Sequence, residues 1–468
     1  MICLLTLAIF FREFLDSGFN LIAGNPGDNR FVIAILEHWR AVSHGRAFFT
    51  SPNFFWPQQG VLGYSESFFL LALPYIAGRA AGMDPYLAFE LVLILFKAVG
   101  FFSMLWLLRS FIGVSRSAAL VGSALFALSN LYFISVGHGH LMTVVFVPLL
   151  VALACAGWRA YGRQKIVAYA YGGSFGLLLA LVLFTSFYIG WFAILAGGVA
   201  IVSALLGGIF RARTLSPLRE WIRATVDRGP MLAAAALVFS VALIPFLITY
   251  LPTLKQTGGR NFQQDLIYTA QPLDVINIGQ GNWIWGRSLE ALMVRLGHAP
   301  MVAAEVQMGW SPLTLGLVAV GILLGFGGWS LRRSTGPTQS RRRFPIAVLS
   351  ASFITCWVLS LKIGERSLWW LIFEFIPGGS AIRVPARFNL VLNVFVMLIA
   401  CLVLEELKKR AGRSQSVVFW GLSLFLIAEQ INTAPGHLIR RHSENAILGR
   451  AHRPPATCAS FFLAQPVT

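Results

Sequence analysis

The chain of 468 residues is 57% hydrophobic and only 12% charged. A soluble domain carries roughly 25% charged residues, so an ordinary soluble protein is excluded and a polytopic, all-α membrane protein is indicated. Its 37 Lys and Arg against 19 Asp and Glu leave a formal +18, an excess that in a membrane chain belongs to cytoplasmic loops rather than to nucleic acid.

Runs of about twenty apolar residues predict a helical bundle of about eleven transmembrane helices. In chain order they are Ile2 to Ala23, Tyr86 to Leu108, Ser117 to Val136, Leu141 to Trp158, Val167 to Thr185, Gly190 to Phe210, Met231 to Leu251, Pro312 to Leu331, Pro345 to Leu361, Phe388 to Val403 and Val417 to Ile431. The first is weakest, because Arg12, Glu13 and Asp16 interrupt it. Of the cysteines, Cys3, Cys155, Cys356 and Cys401 fall in apolar runs and Cys458 follows them. They make neither a disulfide framework nor a paired metal motif.

Four connections are strongly basic: Arg159 to Lys165, Arg211 to Arg228, Arg332 to Arg343 and Lys408 to Arg413. All four are expected on the cytoplasmic side, with two spans between successive members. The charge-balanced connection from Pro252 to Ser311 then falls outside. Ser67 to Met83 is broken by Pro74 and carries Arg79, so it is expected to lie in the interface rather than to cross. The N-terminus is then cytoplasmic, the C-terminus extracytoplasmic, and Asn25 to Pro85 forms one large outer loop.

That loop opens on GNPGD, with the lone acid Asp28, and continues into an amphipathic stretch with Val32, Ile35, Leu36 and Trp39 at helical spacing. The aromatic, proline-rich FFTSPNFFWPQQGVLGYSES follows, where Phe54, Phe55, Trp56 and Tyr64 suit the water–lipid boundary. Asp28 is also well placed to cap a helix.

Taken together, a first span, an outer loop opening on Gly-Asp, two helices on the membrane and a second span resemble the GT-C superfamily of polyprenyl-phosphate-sugar-dependent glycosyltransferases. GDNRF, ILEHW, FFWPQQGVLGYSES and DPYLAFEL resemble a bacterial branch, and GHGHL and IPGGSAIRVPARF fit later in the chain. The resemblance implies a GT-C-like transmembrane domain over residues 1–433, with outer loops at 24–85 and 252–311. It also implies an inverting transfer at the extracytoplasmic face of a bacterial inner membrane, with Asp28 as the general base that deprotonates the acceptor hydroxyl. The implied partners are a polyprenyl-phosphate sugar donor, a lipid-linked glycan, cell-envelope or protein acceptor, and membrane lipid.

Substrate contacts are expected from Arg383 and Arg387, whose guanidinium groups suit a leaving phosphate, with interfacial snorkelling or pairing to Glu365 and Glu374 as the alternative. His138 and His140 could touch phosphate or sugar, and equally make a plain polar turn. Tyr64 and Glu66 could orient hydroxyls, or Ser65 and Glu66 could cap a helix. Glu305 matches an acid often present at this point in the resembling proteins. Lys97, mid-span in LVLILFKAVGFF, could edge a lipid-phosphate cavity or pair with Glu90 two turns away. In the long outer loop Tyr268, Trp283 and Trp285 could stack on sugar or anchor at the interface, and Asp265 or Asp274 could bind hydroxyls.

No cofactor is indicated. Having one acid where relatives carry two leaves a divalent cation as an open alternative. The basic tail 434–468, with Arg440, Arg441, Arg450 and Arg453, reads as a shortened outer domain. The competing functions are a transporter or flippase of lipid-linked sugars, and a non-catalytic relic of the same fold.

Overall fold

The computed structural model describes residues 1–22, 24, 26–55, 57–258, 260–298, 306–327, 337–410, 415–433 and 439–450. Ala23, Asn25, Trp56, Glu305, Leu331, Arg332, Arg413, Arg453 and Cys458, named above, lie outside these residues.

Each apolar segment carries helix, and the first departs most from expectation. Helix α1 (Ile2–Phe10) and helix α2 (Arg12–Asp16) part at Phe11. The chain then turns at Ser17, whose Oγ accepts from the backbone N–H groups of Asn20 and Leu21. Strand β1 (Leu21–Ile22) follows, antiparallel to a strand far along the chain, Ile439–Arg440. The helix therefore does not reach Ala23. Asp16, Ser17 and Gly18 end it, and the later apolar residues are apolar because Ile22 is buried in a strand.

Helix α3 (Pro26–Ser43) buries Val32, Ile35, Leu36 and Trp39, as its periodicity predicts. A 3₁₀ turn (Val61–Tyr64) leads to helix α4 (Phe69–Ala80). At 12 residues, with Pro74 inside, α4 is too short to cross a hydrocarbon core of about 30 Å.

Next come α5 (Pro85–Leu107), then α6 (Arg116–Leu128) and α7 (Asn130–Ser135) parted at Ser129, and a 3₁₀ stretch (Gly139–Phe146) running into α8 (Val147–Ala160). They are followed by α9 (Lys165–Thr185), α10 (Phe187–Ala212), α11 (Ser216–Asp227), α12 (Gly229–Ala242) and α13 (Ile244–Thr257). The span expected from Met231 to Leu251 is thus divided between α12 and α13 at Leu243, just before Pro245.

The long loop carries α14 (Phe262–Ile267) and α15 (Gly286–Arg295). After it come α16 (Pro312–Gly327), α17 (Pro337–Leu359), the two-stranded β2 (Lys362–Ile363) and β3 (Arg366–Ser367), and α18 (Trp369–Phe375). The chain finishes with α19 (Phe388–Arg410), α20 (Gln415–Ala428), β4 (Ile439–Arg440) and α21 (Arg441–Arg450).

Among the described residues six helices are long and apolar enough to cross a membrane, or seven if α11 and α12, bent by 66°, count as one span. The apolar parts of α4, α16, α17 and α20 are shorter. The most apolar stretch of α19 is 83% buried and that of α10 only 11%, so α19 runs through the centre of the bundle and α10 along its lipid-facing rim.

The bundle has two unlike ends. At one, Arg109 donates to Val114 O, Arg159 to Phe111 O, Arg228 to Trp158 O, and Lys408 to Ser117 Oγ, while Lys409 pairs with Glu405. The other gathers the β1–β4 pair, the turn before Gly139, the Thr185–Phe187 junction, the long loop and the approach to α19, joined by Phe68 N to Thr185 O and Lys362 N to Ala270 O. The basic connections that the structure describes therefore collect at one end, as the charge pattern predicts.

Lys97 corrects the sequence reading. It is fully buried in α5, donates to Ala127 O at 3.2 Å, and lies 3.9 Å and 4.2 Å over the rings of Phe10 and Tyr132. Its amine is thus enclosed by two ring faces and a backbone carbonyl, without Glu90. No ion pair between Lys97 and Glu90 forms among the described residues.

Candidate active site

The cavity at the non-basic end has a volume of about 960 Å³. Its wall brings together Asp28, Tyr64, Glu66, His138, His140, Arg383 and Arg387, contributed by four separate stretches of sequence. Of the other expected contacts, Lys97 does not reach it, being sealed between rings, and Glu305 lies outside the described residues.

Two glycines allow this assembly. Gly24 has φ +96°, and a Cβ there would stand 2.6 Å from Gly137 Cα, so only glycine lets the two backbones approach. The contact sets the start of α3 beside the His138 turn, and Asp28 Oδ2 lies 3.8 Å from His138 Nε2. Gly63 faces α13, where a Cβ would meet Thr253 Oγ1 and Thr249 O well inside van der Waals distance. Tyr64, next in the chain, donates to Gln256 Oε1 at 2.8 Å, and Tyr250 to Ser65 O at 3.0 Å.

Asp28 is not the cap of its helix. It occupies the first turn of α3, which begins at Pro26, a position where the helix dipole favours a carboxylate. Its side chain is half-exposed toward the cavity.

Glu66 does cap a helix, though not the one after it. Its Oε2 accepts from Phe187 N at 2.7 Å, at the start of α10. Burial pushes the carboxyl up to about 7, against the lowering effect of the Phe187 and Tyr188 N–H groups and the Arg387 charge. Because this lies above the usual 4.5, the native state retains between those values a proton that the unfolded chain releases. Its contribution to stability is therefore full below the window and declines as pH rises through it. Thermal unfolding of the wild type should fall more steeply from acid to neutral pH than that of Glu66→Gln. Parallel curves would mean that Glu66 is already charged in the fold.

The cationic side of the cavity comprises Arg260, Arg383 and Arg387. Arg387 is buried, with its guanidinium 5.3 Å from the Tyr188 ring. Arg383 lies 5.2 Å from the Tyr268 ring, and its N–H donates to Tyr188 Oη at 2.9 Å. Behind this wall Asp265 is fully buried, with neither carboxylate oxygen hydrogen-bonded among the described residues. Burial pushes it up to about 6, opposed by Arg260 and Arg383. Asp274 is instead committed to its own loop, accepting from Gln271 N at 2.7 Å and facing His298 at 3.0 Å. Trp283 and Trp285 do not line the cavity: the first lies under Arg12 and the second bonds Glu429.

Sequence reading missed Phe187, Tyr188, Tyr250 and Arg260 as wall residues. For Tyr188 a signal existed, since TSFYIGW interrupts two apolar runs at the same end as His138.

Asp28 and His138 would offer a divalent cation two ligands. No group of three or more His, Cys, Asp or Glu able to hold one forms among the described residues, so these side chains do not by themselves fit a metal site and no step is derived through one.

No family model matches the chain, and no curated protein does. Among solved structures it is similar to the oligosaccharyltransferase of Archaeoglobus fulgidus in its apo form, at 11% identity and a TM-score of 0.51, over 97% of this chain and 58% of that one. A mycobacterial arabinofuranosyltransferase, AftD, is matched more loosely, at 15% identity and a TM-score of 0.45, over 94% of this chain and 27% of that one. The chain thus spans little more than half of the oligosaccharyltransferase. Within that span it has the same fold, an all-α integral membrane architecture.

Proposed function

We propose that the chain is a membrane glycosyltransferase that moves a sugar from a polyprenyl-phosphate carrier to an acceptor hydroxyl at the cavity end of the bundle. The observation that carries this reading is one cavity holding a helix-start carboxylate, Asp28, and three arginines. Its α13 wall suits a lipid-borne donor, because Leu251 and Leu254 give the cavity an apolar side and are each about half exposed. A chain-bearing substrate can enter there from the bilayer.

On this reading Asp28 accepts the acceptor's proton as its oxygen bonds the anomeric carbon. The bond from that carbon to the phosphate oxygen breaks, with inversion, and its electron pair leaves on phosphate. The carrier changes from a diester of charge −1 to a monoester approaching −2, and Arg383 and Arg387 are the groups that stabilise the added charge. Tyr64, Glu66, His138 and His140 form the polar wall against which sugar and acceptor are oriented. Residues 1–433 form the transmembrane domain, and the basic end faces the cytoplasm of a bacterial inner membrane.

The test is reconstitution of the full chain in liposomes with radiolabelled polyprenyl-phosphate sugars, following label into lipid, glycan and protein fractions. New glycosidic product is expected. Label that crosses the bilayer without forming a new bond would replace the enzyme by a transporter. Cysteines placed in residues 67–83 that react only from the cytoplasmic side would put Asp28 on the wrong face and overturn the reading.

A further inference from the structure

Residues 439–450 contribute nothing to the cavity wall, yet they grip the chain on both sides of Asp28. Ahead of it, β4 pairs with β1, Arg440 opposite Leu21 and Ile439 opposite Ile22. Arg441 N and His442 N donate to Asn20 O at 2.8 Å and Asn20 Oδ1 at 3.1 Å. Beyond Asp28, Glu444 receives Arg30 as a fork, Nε to Oε2 at 2.8 Å and Nη2 to Oε1 at 2.7 Å, and Tyr86 Oη donates to the same carboxylate at 3.1 Å. Arg441 Nη1 reaches Asp84 Oδ2 at 3.1 Å, and Asp84 in turn caps α5.

This arrangement is more than a surface ion pair. Isolated exposed pairs contribute little, whereas a two-point arginine–carboxylate fork fixes direction as well as distance, and the Glu444 side chain is only 12% exposed. Arg30 stands two residues after Asp28, a spacing that puts the two side chains on different faces of a helix. Glu444 can therefore hold the helix without competing for the Asp28 carboxylate. The first turn of α3 needs such a hold, since Gly27 adds backbone freedom beside Asp28.

We propose that residues 439–450 form a strap that fixes the first turn of α3, with Glu444 a positioning residue for Asp28 acting through Arg30. The catalytic half of this inference rests on the reading of Asp28 as the base; the mechanical half does not.

The experiment compares wild type, Glu444→Gln, Tyr86→Phe and the reciprocal pair R30E/E444R, all as full chains in lipid nanodiscs. Hydrogen exchange of backbone amides 30–33, the first with acceptors inside α3, should accelerate about tenfold in Glu444→Gln and less in Tyr86→Phe, with α19 unchanged. Turnover should fall about tenfold or more at nearly constant donor KM, because displacing a reacting group by about 1 Å costs up to 10²-fold. The reciprocal pair should recover both. Unchanged exchange in Glu444→Gln overturns the strap, whatever the activity. Faster exchange with unchanged kcat overturns the positioning role and leaves only an anchor. If Glu444→Gln fails to fold, Tyr86→Phe and the reciprocal pair decide: normal exchange in the first or no recovery in the second overturns the proposal. A wild type that transfers nothing from any donor removes the proposed function, while the exchange data still judge the strap.

Discussion

Asp28→Asn should lower glycosyl transfer by about 10³-fold, the usual scale for loss of a general base, while the protein keeps its yield and melting temperature. The substitution is nearly isosteric. Asp28 is half-exposed, so losing its charge at the first turn costs only about 0.3–1 kcal/mol of helix-dipole stabilisation. What disappears is the basic carboxylate oxygen that takes the proton; the amide oxygen still accepts hydrogen bonds but is too weak a base. Donor binding, followed by protection of the protein against heat at rising donor concentration, should persist. Equal transfer by the two proteins would reduce Asp28 to an acid that merely suits the start of α3.

The second large effect is expected at Arg387. Arg387→Ala should reduce kcat/KM for the donor by about 10²–10³-fold, as removal of one preorganised donor to a developing anion does. Arg383 and Arg260 remain on the same wall, which is why the loss is not larger. Lysine should rescue only part of it, since an ammonium keeps the charge but not the two-pronged geometry. The same substitution removes a charge that holds down the Glu66 carboxyl. The pH-dependent loss of stability that Glu66 causes should therefore extend to higher pH in Arg387→Ala. A full kcat/KM in the alanine variant would place the leaving phosphate elsewhere.

Several of these residues are legible in the sequence because each carries a local signature. Asp28 follows a Gly-Asn-Pro-Gly break, and the histidines and arginines sit in short polar gaps between apolar runs. Hydropathy also sorts the basic connections to one end. It does not tell which segments touch across the bundle. Lys97 and Glu90, seven residues apart, share a face of the wheel, but the partners of Lys97 come from α1, α6 and α7. Arg260 reads as one charge in a balanced loop, and only the fold of α14 against the approach to α19 turns it toward the site. Leu21 and Ile22 are as apolar as the residues of a membrane helix. Its strand identity depends on a partner that no local window contains.

That partner lies late in the chain: Asn20 and His442 are 422 residues apart. Chains emerge from the ribosome N-terminal end first, and contacts this distant close only after the intervening segments are in place. The loop bearing Asp28 is thus among the first parts to be made and among the last to be finished. A chain stalled partway through insertion would carry the carboxylate and the histidines without the β1–β4 clasp. The connectivity thereby acts as a check on assembly: a partly built protein cannot offer the same ordered site as a completed one.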